Sequence, residues 1–252
     1  MTRALGYLSE IFTSYQGEAT WVGYRQIFIR LAGCSLHCDY CDTQTARGFQ
    51  PLKGYLYSTA NKPKILANPI TVEKSLTYIK KILKTTGPYH SIAITGGEPL
   101  EQPLFLCGLI KALKSEYPEL KILLETNALD YPALIKIKKK VDFIAMDIKI
   151  PSVAKINLSL NKYAGILKAL SGVKGCIKII VSPDVLDKEI IYVAKLIKKY
   201  TPAWELILQP ISKYKGKVKN TWYKLDKLTS LALKYHNKVR LIPQIHKLLG
   251  IR

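Results

Sequence analysis

The stretch Gln26-Ile-Phe-Ile-Arg30-Leu-Ala32-Gly-Cys34-Ser-Leu-His37-Cys38-Asp-Tyr40-Cys41 carries two signals back to back. The first is a short β-branched and aromatic run, which predicts a buried strand over residues 26–32. The second is a triplet of thiols with three and then two residues between them, just past the end of that strand. Thiolates so spaced can hold three corners of an iron–sulfur cubane and leave its fourth iron without a protein ligand. An iron with an open position is a catalytic device and not a pure electron carrier. Zinc is the competing reading, but His37 lies inside the triplet and no second cysteine pair follows at zinc-finger spacing.

Working outward, apolar runs at 91–95, 121–125, 141–147, 176–181, 205–209 and 239–242 predict further strands. Helical patterns fill most of the intervals. In 71–86 Val72, Leu76, Ile79 and Leu83 share one face, with lysines opposite. Residues 184–199 and 221–235 follow the same pattern, with Asp184 and Thr221 as expected N-caps. Strand–helix alternation predicts right-handed βαβ units and an α/β fold: a mostly parallel sheet forming a partial (β/α) barrel. The chemistry then belongs at the C-terminal face, where the strands end. No repeat or linker interrupts residues 1–252, so a single domain is expected. Residues 44–69, rich in Tyr, Lys, Pro and Asn, are expected to form a loop insertion.

Hydrophobic residues at 48% and charged residues at 23% exclude a disordered or fibrous chain. No apolar run is long enough for a bilayer span, and the first residues lack a secretory signal, so a cytoplasmic protein is expected. Lys and Arg number 39 against 18 Asp and Glu, a net charge of +21 that concentrates anions near the surface. The lysines are spread along the chain, denser only at 136–140 and at Lys213, Lys215, Lys217 and Lys219. No basic stripe is interleaved with aromatics, so nucleic acid is not the expected partner. Five cysteines, three of them crowded together, argue for metal in a reducing compartment and against a disulfide framework. Cys107 and Cys176 stand alone in apolar surroundings and are expected in the core.

The strand at 91–95 runs into Gly96-Gly97-Glu98-Pro99. Two glycines at a strand end allow the backbone to approach a ligand closely, and Glu98 brings a carboxylate suited to an amino group.

The cysteine triplet, with aromatic Tyr40 before its last member, resembles the signature of radical S-adenosylmethionine enzymes, and Gly96-Gly97-Glu98-Pro99 resembles their second motif. Ser14-Tyr15-Gln16-Gly17-Glu18, Phe28-Ile-Arg30-Leu-Ala-Gly-Cys34 and Cys41-Asp42-Thr43 narrow the resemblance to the 7-carboxy-7-deazaguanine synthase family. Glu125-Thr126-Asn127, Gln209-Pro210 and Pro243-Gln244-Ile245-His246-Lys247 do the same from the remainder of the chain. The resemblance implies a [4Fe-4S] cluster on Cys34, Cys38 and Cys41, whose open iron binds S-adenosylmethionine and generates a 5′-deoxyadenosyl radical. It implies hydrogen abstraction from C6 of 6-carboxy-5,6,7,8-tetrahydropterin, then ring contraction to 7-carboxy-7-deazaguanine with loss of ammonia. That is a step toward queuosine or archaeosine, with S-adenosylmethionine regenerated.

The same resemblance implies site residues. Tyr15, Gln16, Gly17, Glu18, Arg30, Thr95, His246 and Arg252 would contact the pterin. Arg30 would offer a fork to its carboxylate. Tyr40, Cys41, Asp42, Gly96, Gly97, Glu98, Asp147, Ile148, Lys149, Gln209, Pro210, Ile211 and Ser212 would contact S-adenosylmethionine. Thr43 would bind Mg²⁺ together with substrate oxygens. An external one-electron donor of flavodoxin or ferredoxin type and a homodimer are implied too.

The chain departs from the family pattern at three places. Ala19 and Ala128 stand where the family has Gly, which restricts a backbone that needs positive φ. Asp147-Ile148-Lys149 replaces Ser-Pro-Lys. A glycyl-radical activase would share the triplet and Gly-Gly-Glu-Pro without the Gln-Gly-Glu, Arg30 and His246 set. A radical enzyme acting directly on tRNA would use the charge but lacks a visible RNA-binding module. A zinc-stabilised basic binding protein leaves residues 96–99 unexplained. Finally, a parallel last strand delivers the tail to the catalytic face, so residues 247–252 are expected to fold back over the pterin, with His246 and the Arg252 carboxylate bonding to it.

Overall fold

Parallel strands buried on both faces are written as nearly unbroken apolar runs, and such runs build the centre of this protein. The computed structural model describes residues 4–57, 62–212 and 221–252. Its strands are β1 (Leu5–Gly6), β2 (Leu8–Tyr15), β3 (Arg25–Leu31), β4 (Lys53–Leu56), β5 (Lys64–Ala67) and β6 (Ile70–Thr71). There follow β7 (Ser91–Gly96), β8 (Lys121–Thr126), β9 (Phe143–Asp147), β10 (Gly175–Val181), β11 (Glu205–Pro210) and β12 (Val239–Leu241). The helices are α1 (Val72–Thr86), α2 (Pro103–Glu116), α3 (Tyr131–Ile137), α4 (Pro151–Ala154), α5 (Lys162–Ala169), α6 (Asp187–Tyr200), α7 (Thr221–Leu233) and α8 (Ile245–Leu248).

Ten strands form one sheet in the order β12-β11-β10-β9-β8-β7-β3-β2-β4-β5. From β3 to β12 every neighbouring pair is parallel, while β2 runs antiparallel to β3. Among the described residues β12 and β5 stand at the two ends of the order, so the sheet is open and does not close into a barrel. All seven runs expected as strands are strands, displaced by at most two residues at their ends. The 44–69 segment differs from the expected loop. Residues 53–56 and 64–67 form an antiparallel pair, and β4 adds to β2 at the sheet edge. Alternation along β2 was masked by Ser9, Glu10, Thr13 and Ser14, which an antiparallel strand near the edge tolerates.

The two faces of the sheet carry different populations. Ile27, Ile29, Ile92, Ile94, Ile122, Leu124, Ile177 and Ile179 point to the helices and form the main core with Leu76, Ile79, Phe105, Leu109 and Ile190. On the opposite face lie Phe12, Phe28, Ala93, Leu123, Ala145 and Cys176. Because side chains alternate along a strand, the next residues on that second face are Arg30, Thr95, Glu125, Asp147 and Lys178. The register sets Arg30 opposite Thr95 and Lys178 opposite Asp147. One face therefore changes from apolar to charged within a single pleat repeat as the strands reach their carboxyl ends.

α1 starts as expected, with Thr71 Oγ1 accepting from the Lys74 amide at 3.2 Å. Its buried side is Ser75, Leu76, Ile79 and Ile82, while Leu83 is only half-buried. α6 begins after Leu186 and not at Asp184, because the Glu189 carboxylate accepts the Leu186 amide at 3.1 Å and sets the first turn there. α7 starts at Thr221, whose side chain lies outside the described residues, as does the lysine run from Lys213 to Lys219. Cys176 is fully buried as expected, whereas Cys107 is half-buried at the margin of the main core, with Lys140 Nζ 3.8 Å from its sulfur. No helix among the described residues is long and apolar enough to cross a membrane.

Candidate active site

Glycine geometry brings the two motif loops together. Gly33, at φ +96°, turns the chain out of β3 and into the cysteine loop. A Cβ on Gly96 would overlap the Leu31 backbone, and one on Gly97 would overlap the carbonyls of Gly33 and Ala46. The two glycines after β7 thus let its end pack on the backbone that launches the cysteines. Gly97 N donates to Leu31 O at 2.9 Å and Glu98 N to Gly33 O at 2.8 Å, which locks the two loops together.

Glu98 is 3% exposed. It accepts from Leu100 N at 3.0 Å, Thr126 Oγ1 at 2.6 Å and Asn127 N at 2.7 Å, so it ties the ends of β7 and β8 into one unit. Burial pushes its carboxyl up to about 7, against the pull of those bonds. The Cys38 side is similar: burial raises that thiol, and it lifts Cys34 to about 11. Cys34, Cys38 and Cys41 are all free thiols. Cys41 Sγ lies 3.8 Å from the hydroxyl of Thr43, which opens the short 3₁₀ turn that follows.

Next to this loop stand Asp147 and Lys149, paired at 2.9 Å. Lys149 Nζ sits 5.5 Å from the centre of the Tyr40 ring. Tyr40 Oη, Asp147 Oδ1 and, two strands away on β11, the whole amide of Gln209 are buried with no hydrogen-bond partner among the described residues. Orphaned buried polar atoms are rare and costly unless a ligand completes them. Gln209, at the end of β11, is fully buried, and Ile211 and Ser212 lie just beyond it. Ile148 is fully buried in the main core, so its contribution to a ligand is confined to backbone.

A second group of residues gathers beside the end of β2. Gln16 Nε2 donates to Gln26 Oε1 at 3.0 Å and to Glu125 Oε1 at 2.9 Å, and its carbonyl accepts from Glu18 N at 3.1 Å. Glu18 is clamped by Lys178 and by Gln244 Nε2 at 2.5 Å. Burial opposes its ionisation, but Lys178 prevails and the pKa falls. Gln244 also donates to Asp42 at 2.8 Å, and Lys247 pairs with Asp42 at 2.8 Å. Although burial works the other way, Lys247 and Gln244 hold the Asp42 carboxyl down at about 2. Ligand atoms of Glu18, Asp42 and His246 lie within 4.8 Å of one another.

Arg30 is 16% exposed; its Nε donates to Glu10 at 2.7 Å and its guanidinium lies 5.5 Å from the Phe12 ring centre. Its two terminal nitrogens make no hydrogen bond among the described residues. Tyr15 ends β2 and is 51% exposed, on the outer side of this group.

The tail is tied down at both ends. Ile245 N donates to Gly17 O at 2.9 Å, and the His246 ring occupies the space a side chain on Gly17 would need. Ser14 Oγ donates to the Arg252 carbonyl at 2.6 Å. The Arg252 guanidinium reaches Glu10 at 3.1 Å and stacks 3.4 Å from the Tyr57 ring centre. Residues 245–252 thus fold back on β2 and the Gln16–Glu18 turn.

Two departures noted in the sequence acquire a geometry. Ala19 has φ +57° and Ala128 φ +61°, both in the left-handed region where a Cβ is strained. Sequence reasoning missed Lys178, Gln26, Glu10 and the Gln244–Lys247 clamp. A signal for Lys178 existed: a lone lysine inside the apolar run Cys176-Ile-Lys178-Ile-Ile-Val181 is costly unless something anionic faces it.

These features define a class. A model of the radical SAM superfamily matches residues 28–197. Two crystal structures share the fold: QueE from Escherichia coli, TM-score 0.61 at 21% identity, covers 96% of this chain and 95% of its own. Streptococcus suis SuiB bound to S-adenosylmethionine has TM-score 0.57 at 16% identity, over 94% of this chain and 51% of its own.

Relatives narrow the class further. The 7-carboxy-7-deazaguanine synthase of Geobacter sulfurreducens is 32% identical over 99% of both chains. That of Archaeoglobus fulgidus is 34% identical over 97% of this chain and 98% of its own. The chain belongs to the 7-carboxy-7-deazaguanine synthase family of the radical SAM superfamily.

Proposed function

We propose that this chain is a lyase that contracts 6-carboxy-5,6,7,8-tetrahydropterin to 7-carboxy-7-deazaguanine with loss of ammonia, in 7-deazapurine biosynthesis. The observation that carries this reading is the meeting, at the carboxyl ends of one parallel sheet, of three free thiols on one loop with Gln16, Glu18, Arg30 and Thr95.

The donor set fits the expected cofactors. Three unpaired thiols within one loop suit a [4Fe-4S] cluster with one open iron. Burial raises the Cys34 and Cys38 thiols, so a bound cation is what would ionise these two. The orphaned Tyr40, Asp147 and Gln209 atoms suit a polar ligand beside the cluster. When bound, the cluster and S-adenosylmethionine together supply the 5′-deoxyadenosyl radical that starts the reaction.

The protein's own residues bind, orient and exclude water. Glu18, kept ionised by Lys178, accepts the N–H and amino donors of the pterin, and Gln16 fixes the turn that presents it. The two terminal nitrogens of Arg30 form a fork for the substrate carboxylate, while Glu10 fixes the side chain through Nε. Tyr15, Gly17, Thr95, His246 and Arg252 complete the pocket, with the tail closing it. Asp42, Lys149, Pro210 and Ser212, with the backbone of Gly96 and Gly97, would hold S-adenosylmethionine. Thr43, next to the Asp42 carboxylate, would hold Mg²⁺, which would supply positive charge for substrate oxygens. The chain acts as a single domain over residues 1–252 and as a homodimer in the cytoplasm, reduced by an external flavodoxin- or ferredoxin-type donor.

The test is anaerobic incubation of cluster-loaded, reduced protein with S-adenosylmethionine and the carboxytetrahydropterin. Mass analysis should find 7-carboxy-7-deazaguanine and an equal amount of ammonia. Recovery of unchanged pterin, with S-adenosylmethionine cleaved, would reject the substrate assignment.

A further inference from the structure

Lys178 stands between the two halves of the site. Its Nζ contacts Glu18 Oε2 and lies 3.3 Å from Asp147 Oδ2. On one side the contacts run from Glu18 to Gln244 at 2.5 Å, then to Asp42 at 2.8 Å and Lys247 at 2.8 Å. On the other they run from Asp147 to Lys149 at 2.9 Å, beside the Tyr40 ring of the cysteine loop. From Glu18 through Lys178 and Asp147 to Lys149 the charges alternate in sign, while neutral Gln244 bridges the two like-charged carboxylates Glu18 and Asp42.

A cation screened from water is shared by the anions that touch it, and each anion's share depends on its other partners. Lys178 is 12% exposed, and its two carboxylates 13% and 16%. Asp147 Oδ1 is buried without a partner, so that carboxylate relies on Oδ2 and its two lysines.

We propose that Lys178 is a positioning residue that couples pterin binding at Glu18 to S-adenosylmethionine binding beside Asp147 and Lys149, by dividing one ammonium between two carboxylates. The inference rests on the reading that places the pterin at Glu18. Donors from the pterin satisfy Glu18 and loosen its hold on Lys178. The ammonium then shifts toward Asp147, and Asp147 in turn holds Lys149 less tightly. Lys149 is released to meet the carboxylate of S-adenosylmethionine. By linkage the effect is reciprocal: bound S-adenosylmethionine tightens pterin binding by the same factor.

The test uses cluster-loaded, unreduced protein, in which both ligands bind without turnover. Calorimetry gives the S-adenosylmethionine affinity with and without the carboxytetrahydropterin. In the wild type the pterin should tighten it by about 5–150-fold, the usual range of coupling between sites. In Lys178→Met and in Asp147→Asn the ratio should fall to about twofold or less, since the shared cation or its second anion is gone. Asp147→Asn is isosteric and carries the test if Lys178→Met fails to fold. A wild-type ratio in either variant, or no coupling in the wild type, overturns the proposal. Glu18→Gln examines the underlying reading separately. Undiminished pterin affinity there would displace the pterin from Glu18. Weakened pterin affinity with intact ratios in the other two variants would sink the coupling alone.

Discussion

Lys178 on β10 and Lys114 on α2 are both lysines paired with carboxylates, one at each end of the parallel strands. At the carboxyl end, Lys178 joins Glu18 and Asp147, and all three are less than one-fifth exposed. At the amino end, Lys114 joins Asp142 just before β9, and each is about one-third exposed. The first pair is enclosed by polar side chains that need one another. The second is about one-third open to water, and an ion pair so exposed is worth about 1 kcal/mol. A net charge of +21 is therefore silent about chemistry; what matters is which few charges the fold has buried.

The contrast can be broken at several places. The largest effect is expected in the thiols. Cys34→Ala, Cys38→Ala and Cys41→Ala should each abolish cluster assembly and turnover, while Cys107→Ala and Cys176→Ala keep both. Iron and sulfide content alongside product formation would decide it, and full activity in any triplet variant would remove the cofactor from these residues.

Next comes the lysine pair itself. Lys178→Met leaves Glu18 without its cation and Asp147 with Lys149 alone, and should lower unfolding free energy by about 3–5 kcal/mol. Lys114→Met should cost about 1 kcal/mol or less. Urea titrations of the two variants with similar midpoints would erase the distinction between the sheet ends.

Arg30→Lys should weaken pterin binding by about 1.5–3 kcal/mol, because an ammonium cannot reproduce two parallel hydrogen bonds to a carboxylate. S-adenosylmethionine affinity, measured without pterin, should stay the same. Equal losses for both ligands would make Arg30 a structural residue.

The smallest expected effect concerns the strained alanines. Ala128→Gly relieves about 1–2 kcal/mol of left-handed strain and forfeits about 0.8 kcal/mol for a buried methyl. The net gain is about 0.5 kcal/mol, or a rise of about 1–2 °C in Tm. Gly23→Ala, at φ +89° in open space, should shift Tm the other way. A lower Tm for Ala128→Gly would mean that its methyl packs better than its backbone suffers.

Much of this arrangement was legible in the sequence because each signal was local. The seven parallel strands announced themselves as apolar runs, and the thiol triplet followed one of them directly. The positive φ of Ala19 and Ala128 followed from their place in glycine positions. What could not be read was long-range. The clamp on Glu18 is built by Lys178 and Gln244, from distant parts of the chain, and only the parity of the strands and the return of the tail bring them together. The hairpin of β4 and β5 was missed because a short edge pair with one buried face has little periodicity to show. Gly96 and Gly97 were expected to admit a ligand, and their immediate neighbour is the protein's own backbone.

The central claim is that buried carboxylates and their partners at the strand carboxyl ends recognise the substrate, and that the excess of surface cations does not. Pterin affinity of wild-type and Glu18→Gln protein, each at low and high salt, tests it most directly. The account predicts a loss of about 1.5–3 kcal/mol on Glu18→Gln and little change with salt, since buried contacts are screened weakly. An affinity that collapses with salt and ignores Glu18→Gln would contradict it.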